Sequence, residues 1–195
     1  MTNALPPTLD HLPDMLQHAH RKGKLVFFCG AGVSNYSDEL PKHFGSFHAL
    51  CEALLEHFSP RADKASHYEQ RLKDNRYEEL LQNLAKEYGT KAVTAQLREL
   101  FRNNSQDPDW QPHQHKTLLR LASHQSDLRL VTTNFDGLFN LAYTKLQDRY
   151  PQAWGSLTLN EQAAPALPIP RSDEWNSLVY LHGKADDPAS RLIYS

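Results

Sequence analysis

"LVFFCGAGVSNYS", Leu25 to Ser37, sets the reading of the whole chain. Leu25 to Phe28 form a continuous apolar run, the pattern of a strand buried on both faces. At Cys29-Gly30-Ala31-Gly32 the run breaks into small and polar residues. Two readings compete for these glycines. One is a tight strand-to-helix turn that needs glycine's backbone freedom. The other is a loop lying close to a phosphate, with the N–H groups and positive end of the next helix aimed at the anion. Ser34 adds a hydroxyl. The dinucleotide fingerprint asks for a third glycine where Asn35 stands, so this loop alone does not decide.

Outward from the loop, helical spacing dominates. Leu9, Leu12, Leu16 and Ala19 predict a first helix ending near Lys22-Gly23. Phe47, Leu50, Cys51, Leu54, Leu55 and Phe58 predict a strong amphipathic helix, and Tyr77 to Tyr88 repeats its pattern. Val93, Leu97, Leu100 and Phe101 add a shorter one. The polar stretches "SPRADKASHYEQ" and "RNNSQDPDWQPHQH" between them read as turns, which makes 59–112 a helical insert. A helix from His115 to Ala122 precedes the β-branched strand "LRLVTTN", and helical spacing resumes in "DGLFNLAYTKL". Residues 151–176 hold four prolines and read as a long irregular excursion. "SLVYLHG" and "RLIYS" read as two more strands, the second cut off by residue 195, so a fragment of a longer protein is expected. Strands alternating with helices predict an α/β fold with a mostly parallel sheet.

In such a sheet ligands sit beyond the carboxyl ends of the strands. Three strands here end in polar chemistry: "CGAGVS", "VTTNFD" and "YLHG". Asn134 and Asp136 follow the second strand, where a helix cap accounts for one of them but not both. An amide and a carboxylate together can orient sugar hydroxyls, a carboxamide or a water. His182 follows the third strand as a candidate proton acceptor near neutral pH.

Composition narrows the function classes. The 195 residues carry a net charge of −2, so no overall basic field draws the chain to nucleic acid or to an anionic membrane. No apolar run nears the roughly 20 residues of a bilayer span, and the N-terminus lacks the apolar stretch of a signal peptide. Two cysteines, Cys29 and Cys51, make neither a disulfide framework nor a four-thiolate zinc site and suit a reducing cytosol. Eleven histidines raise a metal reading. His18 and His20 point to different helix faces, however, and His113 and His115 have no cysteine or carboxylate at ligand spacing, so no metal is expected. His115 reads as starting its helix and packing under the sheet.

In their order, "GAGVSNYSDELPKHF", "TTNFD" and "LHG" resemble the sirtuin superfamily, across residues 25–195. The resemblance implies a Rossmann-like domain that binds NAD, with a smaller inserted lobe. It places Gly30, Ala31, Gly32 and Ser34 along the pyrophosphate and ribose, with Thr133 beside them. Asn134 would hold the nicotinamide ribose and an attacking water, Asp136 would lie near the carboxamide pocket, and His182 would be the general base.

The departures separate this chain from deacylating sirtuins. Those follow the first-loop proline with an acidic residue, phenylalanine and arginine; here Lys42, His43, Phe44 and Gly45 follow Pro41. The glutamine before the asparagine is Thr133, and "GKADDPASRLIYS" after His182 holds no cysteine for a zinc module. The chain is more similar to the sirtuin-like domains of bacterial antiphage defence proteins. That similarity implies an NAD hydrolase releasing nicotinamide and ADP-ribose, with NAD as substrate. It also implies a cytoplasmic homo-oligomer governed by a sensor or activator, either a partner protein or a C-terminal domain. No membrane contact and no direct nucleic-acid binding by this segment are expected. An NAD-dependent protein deacylase and a non-catalytic sensor of NAD or ADP-ribose derivatives are the rival readings.

Overall fold

Parallel pairing of short apolar strands organises the molecule. The computed structural model describes residues 12–34, 44–102, 112–124, 127–163, 176–185 and 187. Among them, β1 (Phe27–Cys29), β3 (Asp127–Thr132), β4 (Glu161–Ala163) and β5 (Ser177–Tyr180) form a four-stranded, all-parallel sheet in the order β1-β3-β5-β4. A two-residue strand, β2 (Ser123–His124), runs antiparallel beside β3. With eight helices in the described residues, the protein is mixed α/β, consistent with a Rossmann-like fold. The strand read at 191–195 lies outside the described residues.

The central strands are apolar because both faces are covered. Leu128, Leu130, Leu178 and Tyr180 are fully buried against α6 (His113–Ala122) and α7 (Leu138–Arg149), which contribute Leu119, Phe139, Ala142 and Leu146. β1 departs from the continuous burial expected of it. Phe28 is 65% exposed and Val26 is also exposed, while Phe27 and Cys29 are half-buried. Among the described residues β1 pairs only with β3, so alternate side chains of this outer strand face away from the core.

Four helices stand between β1 and α6 in the chain: α2 (Phe47–Phe58), α3 (Ala62–Lys73), α4 (Tyr77–Tyr88) and α5 (Thr90–Arg102). They bury a second core of Leu50, Leu54, Leu80, Leu81, Leu84, Val93 and Leu97. Ser46 caps α2, its hydroxyl accepting from Ala49 N at 3.4 Å. The helical unit therefore reaches back beyond residue 59 to include α2. It also contains a helix where the sequence reads as turns. α3 buries only Tyr68, too little apolar surface to give a periodic signal. Polar bonds hold it to α4 instead: the Tyr68 hydroxyl donates to Glu87 at 2.9 Å, and Lys64 pairs with Glu87 at 3.1 Å.

The excursion at 151–176 also holds structure. A short helix, α8 (Pro151–Trp154), buries Trp154, and β4 extends the sheet beside β5. Lys184 reaches across from beyond β5 to Glu161 at 3.0 Å and fixes that edge. The first helix, α1 (Asp14–Arg21), ends as expected near Lys22-Gly23.

Leu130 sits between Phe27 and Leu178 in the register and is fully buried. Leu130→Ala is expected to lower the unfolding free energy by about 2–5 kcal/mol, measured as a lower urea midpoint. A change below about 0.5 kcal/mol would contradict this core.

Candidate functional site

Strand register brings the three polar loops to one rim. Cys29 pairs with Thr132, and Thr132 pairs with Tyr180, so β1, β3 and β5 end level. Backbone bonds continue the ladder past the strands. Thr133 N donates to Cys29 O at 3.1 Å, and Leu181 N donates to Thr132 O at 2.9 Å. Ala185 N donates to Phe135 O at 2.7 Å, tying the loop after β5 to the loop after β3.

The glycine loop turns at once into a short 3-10 segment, Ala31–Ser34, closed by Val33 N donating to Gly30 O at 3.1 Å. The helix expected directly after the glycines is thus replaced by this tight turn, and residues 35–43 lie outside the described residues. Neither Gly30 nor Gly32 has the positive φ that only glycine adopts readily. A Cβ on Gly30 would meet Thr133 Oγ1 at 3.3 Å, a contact the hydroxyl can yield. A Cβ on Gly32 would have nothing within 4 Å among the described residues. Backbone freedom does not explain Gly32. After His182 the opposite holds, because Gly183 has φ 83° and the turn there requires glycine.

Three polar side chains meet behind the loop. Ser34 Oγ lies 3.3 Å from His115 Nε2, and Asn134 Nδ2 donates to Ser34 Oγ at 3.5 Å. All three are buried. The Asn134 backbone N–H donates to Thr132 Oγ1 at 3.1 Å, which sets the bend after β3. Asn134 Oδ1 is buried and has no hydrogen-bond partner among the described residues. Asp136 Oδ1 accepts from Leu138 N at 3.0 Å, a local turn just ahead of Gly137, the N-cap of α7. Neither Asn134 nor Asp136 is the N-cap, and of the two the carboxylate is the one bonded to an N–H of the helix start.

The space in front of these groups is divided. A void of about 10 Å³, about the size of one water probe, touches Ala31, Asn134 and Asp136 and is otherwise walled by apolar side chains including Phe44, Phe47 and Phe135. A larger cleft of about 420 Å³ is bounded by Thr133, His182, Phe47 and the 75–79 segment that opens α4. That volume falls within the range of small-molecule sites. Phe47 is a wall of both spaces. Phe135 stands against it at 5.9 Å between ring centroids and against His182 at the same distance. Ala31, Asn134 and Asp136 therefore border the small void, and Thr133 with His182 borders the larger cleft.

The insert contributes walls that sequence reading did not assign to the site. Phe47 and Tyr77 stack at 6.3 Å, and Arg76 pairs with Glu79 at the mouth. Their spacing marks them as helix core, so nothing local distinguishes them from packing residues. α6 starts at His113, two residues before the expected start, and His115 packs within its first turn with its ring 4.7 Å from Phe139. It was not singled out for the site, because its contact with Ser34 spans 81 positions. Among the described residues no group of three or more His, Cys, Asp or Glu side chains could hold a metal, and no helix is long and apolar enough to cross a membrane.

No family model matches the chain, and no solved structure matches it. The chain is similar to an uncharacterized protein of Sinorhizobium fredii, y4cA, with 30% identity over 183 residues. The matched segment is 92% of this chain and 14% of that protein, so the chain spans a small part of its relative's length.

Burial pushes the His115 imidazole down from 6.5 to about 3, which keeps the ring neutral. Between those values the unfolded chain binds a proton that the folded chain does not. Stability conferred by the neutral ring is therefore intact above pH 6.5 and falls toward pH 3, by about 1.4 kcal/mol per pH unit. His115→Gln removes this titration. Urea unfolding between pH 6 and 4 is expected to show a shallower loss in the variant, and equal slopes would contradict a buried neutral ring.

Proposed function

We propose that this chain is an NAD+ glycohydrolase domain, cleaving the nicotinamide–ribose bond to give nicotinamide and ADP-ribose. The observation that carries the reading is Gly32. Its φ is not positive and a side chain there would meet nothing among the described residues, on the rim that also holds Asn134. A side chain is left out where a ligand's backbone-close approach would need the space, and a pyrophosphate is the group such loops admit.

Catalysis needs little covalent work from the protein. Water oxygen attacks C1′ of the ribose as the bond to the pyridinium nitrogen breaks. The bonding pair leaves with that nitrogen, giving neutral nicotinamide, and the water's proton passes to a base. Asn134 Oδ1 is a buried acceptor able to hold the water or a ribose hydroxyl. His182 borders the larger cleft and is the base in this reading. Anchoring by the Gly30–Ser34 turn, away from the reacting carbon, supplies binding energy that positions the ribose. Asp136 holds the turn into α7 through Leu138 N, and in this reading it lies near the carboxamide of the substrate.

The wider role follows from the sirtuin-like resemblance: NAD depletion in the cytoplasm of an infected bacterium, by an oligomeric effector that a sensor partner or domain releases. NAD is the substrate, and the reaction as written uses no metal.

Nicotinamide release from NAD, followed chromatographically without any acylated peptide, tests the reading. Asn134→Ala and His182→Ala are each expected to lower turnover by at least about 10²-fold while the protein still unfolds cooperatively. Gly32→Ala is expected to raise KM about tenfold yet leave thermal stability equal or slightly higher, since a Cβ there relieves chain entropy without a clash. NAD binding with no nicotinamide released by the wild type would make the domain a sensor. NAD-dependent removal of an acetyl group from lysine would make it a deacylase.

A further inference from the structure

We propose that His115 is a positioning residue that sets, through the Ser34 hydroxyl, which end of the Asn134 amide faces the site. The inference concerns the same site as the NAD-cleaving reading and takes its catalytic consequence from it, but its structural content stands alone. Three buried groups form a line: His115 Nε2 to Ser34 Oγ at 3.3 Å, and Ser34 Oγ to Asn134 Nδ2 at 3.5 Å. A serine hydroxyl carries one proton and two acceptor lone pairs. Asn134 Nδ2 can only donate to it, so the hydroxyl proton is available for His115 Nε2. That direction requires the ring nitrogen to be an acceptor, with the ring proton on Nδ1. Reversing it would give Ser34 two donors and leave its own proton without an acceptor in this line.

The polarity then propagates. With Nε2 accepting from Ser34, and Ser34 accepting from Nδ2, the amide is locked with Oδ1 on its far side. There Oδ1 is buried without a partner among the described residues, and Asn134 lines the void that also touches Ala31 and Asp136. An acceptor in that void suits a water or a ribose hydroxyl, which donates. With the amide flipped, Nδ2 would face the void and repel those same donors. Burial of the imidazole supports the assignment, because a protonated ring would donate from Nε2 and reverse the line.

The test has a spectroscopic arm and a kinetic arm. In protein labelled with ¹⁵N at histidine and asparagine side chains, His115 is expected as the Nδ1–H tautomer, with Nε2 at the shift of a hydrogen-bonded acceptor. Ser34→Ala and His115→Phe are each expected to move the Asn134 side-chain amide resonances. His115→Gln, whose Oε1 can accept from Ser34, is expected to restore them and covers the case in which the phenylalanine variant folds poorly. An Nε2–H tautomer, or an Asn134 amide unmoved by both Ser34→Ala and His115→Phe, overturns the proposal. In the kinetic arm, His115→Phe and Ser34→Ala lower kcat about tenfold to a hundredfold with KM little changed. The double variant is no worse than the poorer single one, and His115→Gln recovers most of kcat. Full kcat in His115→Phe also overturns the proposal. Wild-type protein with the expected spectra and no nicotinamide release leaves the line intact and removes the NAD-cleaving reading instead.

Discussion

The level ending of three parallel strands is the constraint on which the rest of the molecule depends. Parallel pairing has no freedom to slip by one residue without turning every side chain to the opposite face. Phe27, Leu130 and Leu178 fix that register from inside the sheet, and Cys29, Thr132 and Tyr180 follow from it at the edge. Whatever chemistry the next residues carry is then delivered to one place. Loops of unrelated sequence become neighbours because the strands beneath them are locked.

The helical unit sits on that rim and completes it. Phe135, Leu138 and Ala185, all from the loops or their margins, are buried in the same core as Leu54, Leu80 and Leu97. The packing of α2, α4 and α5 is therefore continuous with the packing of the loops that carry Asn134 and His182. Phe47 shows the result most directly, since one side chain of α2 walls both spaces in front of the rim. A shift of α2 along its axis would alter the two spaces together.

Much of this was legible in the sequence, for identifiable reasons. α2 and α4 announce themselves because one face is apolar over three turns, and β3 because β-branched and leucine residues crowd six positions. The candidate residues were legible as loop residues at strand ends. What stayed hidden depends on contacts remote in sequence. α3 is held by Tyr68 and Lys64 on Glu87, and charged side chains leave no periodic trace. The partition between Asn134 and His182 arises from Phe47 and Phe135, which local spacing marks only as core. The sequence leaves open which of Asn134 and Asp136 takes an N–H at the start of α7, and only geometry gives Leu138 N to Asp136, with Gly137 at the cap position itself.

Cys29 lies at the end of β1, one residue before the glycine turn, where a reactive sulfur would be exposed to whatever enters. Its thiol instead donates toward Val131 O at 3.5 Å, and burial pushes its pKa up to about 11. Cys51, deep in α2, is pushed up to about 12. The thiolate is the form that oxidises and alkylates, and burial disfavours that form for both sulfurs at neutral pH. The sulfur nearest the glycine turn is thereby held in its less nucleophilic form by the same packing that levels the strand ends.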